Sequence, residues 1–228
     1  MQTLRDWNLT LNVDHVLMGQ GADPKAVRER SPQLVEIAQR ALVEGQSLLE
    51  PLVLYRKLAV QGLKHERLVL TGGATLIGPL IAQHLAPAEQ VVIILCTIGD
   101  ALEKSASEII KTDPSYGLAL DGLGSAAVET LATDACNYFG DRAAAEGKER
   151  TIPFNPGMIG WSVEEGQKQI FYIFNDHEID IKLTSSGMMI PCKSISMVIG
   201  LGADLSSAGR ACDYCSMRET CSYQNHYV

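Results

Sequence analysis

Three of the six cysteines are clustered near the C-terminus, where Cys212, Cys215 and Cys221 are spaced C-x2-C-x5-C. Thiolates two residues apart on a turn converge on one soft metal ion, at about 2.3 Å for zinc. Chains of reducing compartments rarely keep such thiols as disulfides. Zinc takes four ligands. His226, which extends the pattern to C-x2-C-x5-C-x4-H, and a folded-back Cys192 are the candidates for the fourth; an iron–sulfur cluster would take the same count or leave one iron open. A redox-active thiol pair and a plain surface loop are the alternatives. Cys96 and Cys136 fall within apolar runs and read as small core residues. From about Leu205 onward large apolar side chains are few, so burial alone does not offset an ordering cost of about 1–2 kcal/mol per residue, and a bound metal is the expected reason for order there. The expected organisation is an α+β domain over 1–204 and a Cys-rich metal-binding tail over 205–228.

Other constellations carry less. Gly73 to Gly78 fits the first half of a phosphate loop, but Pro79-Leu80 replaces the required Lys and Ser/Thr. The run from Gly122 to Ala127 matches G-x-G-x-x-A, yet the preceding LALD is helical in character and delivers no tight strand-to-helix turn. The histidines, His15, His65, His84, His177 and His226, are scattered, and no Ser lies in a nucleophile-elbow pattern, so triad chemistry has no support. Asp176, His177 and Glu178 read as a solvated turn before a strand.

The elements that must position such residues are readable from hydropathy and turn chemistry. Leu9, Leu11 and Val13 alternate with polar residues and predict a short strand. Ser31 and Pro32 open a helix whose buried face is Leu34, Ile37, Ala38, Ala41, Leu42 and Leu48. A short apolar run from Arg67 to Thr71 enters the turn Gly72-Gly73, Pro79 to Leu85 reads as a helix, and Val91 to Thr97 predicts a central strand covered on both faces. Asp100 opens a helix that Asp113-Pro114 stops. From about Tyr116 to Phe139 a helix rich in Gly and Ala allows close approach of other elements, at about 1 kcal/mol of propensity per Gly. The stretch from Asp141 to Arg150 is a helix end or an exposed loop. Pro153 to Gly160 is irregular, Glu164 to Phe174 helical, Ile179 to Thr184 a half-buried strand and Ser194 to Gly200 an apolar strand. Strands at both ends with helices between give an α+β, or mixed α/β, fold.

Composition narrows the partners. Hydrophobic residues at 46% and charged residues at 20% exclude disorder of the chain as a whole. The net charge of −8, with no Lys/Arg cluster, makes duplex nucleic acid and anionic membranes poor partners. Val91 to Ile98 is the longest strongly apolar run, far short of the roughly 20 residues of a membrane span. Met1 to Val13 shows no basic region followed by an apolar one, so a cytoplasmic location is expected.

The segment Pro153 to Phe171 (PFNPGMIGWSVEEGQKQIF), followed by Ile181 to Ser196 (IKLTSSGMMIPCKSIS), resembles the activation domain of cobalamin-dependent methionine synthase and its free-standing relatives. Leu49-Glu50-Pro51 with Tyr55-Arg56, and the strand ending Cys96-Thr97-Ile98-Gly99 with Leu102-Glu103, fall in the family's order. The resemblance implies a curved, largely antiparallel sheet with packed helices. It further implies S-adenosylmethionine bound along the Pro-Gly segment, here Asn155, Pro156, Gly157 and Met158, chiefly through backbone contacts. The methyl group would go to an oxidised corrinoid on a separate methyltransferase, with an external electron donor and no turnover by this chain alone. A glycine permits such close backbone approach. Where the family usually has Arg and Tyr this chain has Pro153 and Met158, leaving Arg150 as the nearby cation; Leu183-Thr184-Ser185-Ser186 stands for the family's Leu-Thr-Glu-Ser. The terminal cysteines fit free-standing relatives, and an iron–sulfur electron-transfer or assembly factor without a working ligand site is the alternative reading.

Overall fold

Strand β5 (Gln90–Thr97) is buried at every position after Gln90, as its β-branched run predicts, and it lies at the centre of the sheet. The structure, a computed structural model, describes residues 1–174, 180–206 and 209–221. The chain enters through β1 (Gln2–Leu4), α1 (Val13–Gly19), α2 (Pro24–Arg30) and α3 (Pro32–Gly45). It continues through β2 (Leu52–Lys64), β3 (Arg67–Leu70), β4 (Thr75–Ile77), α4 (Pro79–Leu85) and then β5. After α5 (Ala101–Ile109), α6 (Pro114–Ala145) and β6 (Glu149–Arg150) come α7 (Val163–Phe174), β7 (Lys182–Leu183), β8 (Met189–Ile190) and β9 (Ser194–Gly202).

The main sheet is antiparallel in the order β4-β3-β2-β5-β9-β6, with β1 added beside β2. Both flanks of β5 are long ladders, Leu52↔Thr97 to Ala59↔Gln90 on one side and Gln90↔Leu201 to Thr97↔Ser194 on the other. The outer edge of β2 is shared. Its first part pairs with β1, and its last part, beyond a bulge between Val60 and Gly62, runs past β5 and pairs with β3. Gly62 sits there at φ 151°, a conformation that side chains disfavour, and the bulge curls the sheet.

Alternation along the strands splits the interior into two cores. Val53, Tyr55, Val92, Ile94, Met197 and Ile199 face a helical layer of α1, α3, α5 and α6. Leu54, Val91, Ile93, Leu95 and Val198 face the opposite way, onto α4, α7 and the loop bearing Phe154 and Trp161. Half of the 32 residues of α6 are buried because the sheet covers one side and helices cover the other. Its small residues make this possible: a Cβ on Gly122 would come 2.8 Å from the Val16 carbonyl and 2.5 Å from Gln20 Cγ.

Several expectations change. Leu9 to Asn12 form no strand, and α1 starts at Val13 with the Asn12 side chain accepting from the His15 amide at 3.0 Å, so a local cap wins over the alternating pattern. Asp113-Pro114 does more than stop α5: the Asp113 carboxylate caps the Tyr116 amide and Pro114 opens α6. That helix runs on to Ala145, so the polar stretch from Asp141 is its last turn and a tight exit. Asp100 makes no capping bond and instead pairs with Lys104 at 2.7 Å. The strand expected from Ile179 to Thr184 is a two-residue ladder, Lys182↔Ile190 and Leu183↔Met189; Ile179 and the Asp176-His177-Glu178 turn lie outside the described residues.

Candidate functional site

The irregular segment after β6 is an edge of the sheet that stops being a strand. The Thr151 amide donates to Gly200 at 3.0 Å, and Phe154 and Val198 exchange both backbone hydrogen bonds at 2.9 Å, so residues 151–154 still track β9. Asn155 ends the ladder. Its side-chain Nδ2 donates to the Ser196 carbonyl at 3.0 Å, the bond an added strand residue would otherwise make. The backbone then closes on itself: the Met158 amide donates to Asn155 at 3.2 Å, the Gly157 amide to Trp161 at 2.8 Å and the Trp161 amide to Met158 at 2.9 Å. Gly157 adopts φ 104°, so the turn depends on the missing side chain.

Two contacts hold this loop in place. Pro156 rests on Gly166 of α7, where a Cβ would stand 2.8 Å from the proline ring. Trp161, 2% exposed, donates from its indole to Gln169 Oε1 at 3.3 Å, and Gln169 also grips both backbone groups of Ile77 in β4, at 2.8 and 3.3 Å. The loop is thus fixed to β9 on one side and to β4 on the other. Asn155, Pro156, Gly157 and Met158 are brought together as expected, the first three half-buried and Met158 buried.

The C-terminal residues come to the same place. A 3-10 turn at Ala211–Tyr214 leads the chain alongside the loop. There the Ile159 amide donates to the Tyr214 carbonyl at 2.8 Å, Met158 pairs with Cys215 as an antiparallel bridge, and Ser216 Oγ donates to the Gly157 carbonyl at 2.7 Å. The Tyr214 ring lies edge-on to His84 with centroids 5.0 Å apart, and His84 stacks on Phe154 at 5.2 Å. Burial holds the His84 imidazole below its usual range, which favours the neutral ring. Beside these three rings is a cleft of about 220 Å³, walled also by Thr151 and Asp204.

All six cysteines lie among the described residues. None of the six is in a disulfide. Cys192 is tied to α5, its amide donating to Glu103 at 3.1 Å, and this carboxylate, by hydrogen bond first, raises the Cys192 thiol. Among the described residues no group of three or more His, Cys, Asp or Glu is placed to hold a metal ion, so the zinc or iron–sulfur expectation at Cys212, Cys215 and Cys221 finds no support; His226 lies outside the described residues. The tail also pairs through its backbone with 157–159, and the Tyr214 ring packs against His84 and Phe154. Cys96 and Cys136 are core residues, as read, with thiols raised by burial.

Arg150 does not face the loop as a spare cation. It donates to Asn137 at 3.2 Å and to the Thr151 carbonyl at 3.3 Å, with its stem against Gly140 of α6. Tyr214, Ser216 and Gln169 were missed by sequence reasoning, because contacts to groups far away in the chain leave no local pattern.

No protein-family model matches the chain, and no curated protein does. Among solved structures the chain is similar to the MetH reactivation domain crystallised with AdoHcy bound, at a TM-score of 0.60 and 12% identity, over 93% of this chain and 82% of that one. The fold is that of the MetH reactivation domain. A reactivation-domain fold accounts for the curled antiparallel sheet and its helical layer, and bears out the fold read from PFNPGMIGW and its neighbours. No helix among the described residues is long and apolar enough to cross a membrane.

Proposed function

We propose that this chain binds S-adenosylmethionine and serves the reductive remethylation of a corrinoid carried by a separate methyltransferase. The supporting observation is agreement in fold over 93% of the chain with a reactivation domain crystallised with AdoHcy. The ligand would lie along Asn155, Pro156, Gly157 and Met158, where the backbone leaves the sheet and Gly157 presents no Cβ. When bound, it would supply a methyl group to the corrinoid, with the electron coming from an external donor. This chain's own part is to hold and orient: Asn155 fixes the segment to β9, and Gly166 and Trp161 set its height above α7. The fit is through backbone, since Pro153 and Met158 offer neither a guanidinium nor a phenol. Calorimetry with S-adenosylmethionine tests the reading. Saturable heat is expected, and no heat at millimolar ligand refutes it.

A further inference from the structure

The backbone groups that make 157–159 a candidate binding edge are already in use. The Gly157 carbonyl accepts from Ser216 Oγ, the Ile159 amide donates to Tyr214, and Met158 pairs with Cys215. All three partners come from one short stretch of tail. Within that stretch the chain holds its shape through local bonds, Cys215 amide to Cys212 at 3.3 Å, Arg218 amide to Cys215 at 3.2 Å and Arg218 to the Asp213 carboxylate at 3.7 Å. Its inward anchor is the Tyr214 ring, while Met217 beyond it is 59% exposed.

We propose that residues 211–218 form a displaceable strap over the ligand segment, so that strap and S-adenosylmethionine compete for the backbone of Gly157 and Ile159. This inference rests on the ligand reading above. Among the described residues few bonds tie 211–218 to the loop, and segments held this way open at small fractions of the global stability. A ligand that needs the open form binds with an affinity reduced by the fraction of molecules open. Anything that loosens the strap therefore tightens ligand binding.

Ser216→Ala removes the strap's hydroxyl bond to the Gly157 carbonyl while leaving the loop's own residues unchanged, and Ser216→Thr keeps the hydroxyl. Hydrogen exchange at the Ile159 amide shows whether the strap has been loosened, and calorimetry with S-adenosylmethionine reads the consequence. For Ser216→Ala, faster exchange and three- to tenfold tighter binding are expected, with Ser216→Thr close to the parent chain. Saturating ligand should also make 211–218 of the parent chain sensitive to limited proteolysis. Faster exchange with unchanged or weaker binding overturns the strap while leaving the ligand reading standing. No heat from either protein at millimolar ligand overturns the ligand reading, and the competition falls with it.

Discussion

Glu129 carries a prediction that connects packing to pH. It lies on α6 one turn after Ser125 and two turns before Cys136, the residues that meet Lys193 and Met197 at 2.9 and 3.5 Å, so this stripe faces β9. Burial pushes the Glu129 carboxyl from 4.5 up to about 7. Between pH 4.5 and about 7 the folded chain holds a proton that the unfolded chain has released, so this group's contribution is full below pH 4.5, is lost as pH rises through the window and is level above it. That rise corresponds to about 3 kcal/mol, which partial contact with solvent reduces to about 1–3 kcal/mol. Glu129→Gln keeps the shape and removes the titration. Urea unfolding followed by circular dichroism from pH 4 to 8 should show the variant and parent equal near pH 4, with the variant more stable by about 1–3 kcal/mol at pH 8. The Asp134 carboxyl, also raised by burial, contributes to both curves and cancels in their difference. Parallel curves would refute the argument.

Two further substitutions probe the loop and the thiols. Gly166→Ala should destabilise by about 1–3 kcal/mol in urea unfolding, because its Cβ would meet the rigid Pro156 ring at 2.8 Å; a gain in stability, as helix propensity alone predicts, would show that the loop yields freely. Glu103→Gln should speed alkylation of Cys192 severalfold at pH 8 by releasing its raised thiol, measured by peptide mass mapping, whereas an unchanged rate would disprove the hydrogen-bonded pair.

What the sequence disclosed follows from range. Pro32, Pro79 and the run VVIILCT act within a few residues, and the helices and central strand they predict are present, although Ser31 stands at the start of α3 without a side-chain capping bond. Strand β2 was not read as a strand although it is the longest in the sheet, because its partners change along its length and its far end is exposed, so no single alternation runs through it. The site divides the same way. Asn155 to Met158 form a local turn and are adjacent in sequence, whereas the groups that cap it, Ser216 at a separation of 59 and Gln169, are defined only by folding. The metal expectation, which finds no support among the described residues, derived order in the tail from composition and could not see the edge on which the tail docks.

The loop's dependence on later sequence bears on the order in which the chain folds. During synthesis residues 151–161 emerge well before β9, which satisfies Phe154, and 59 residues separate the Gly157 carbonyl from the Ser216 hydroxyl that covers it. Contacts across such separations form late, after local helices and hairpins have settled. The helical layer of α1, α3, α5 and α6 comes entirely from earlier chain, so it can assemble on β2 and β5 first. The anchorage of residues 151–154 to β9 is therefore among the last parts of the fold to form, and a ribosome stalled before β9 would carry a helical core with this edge still unpaired.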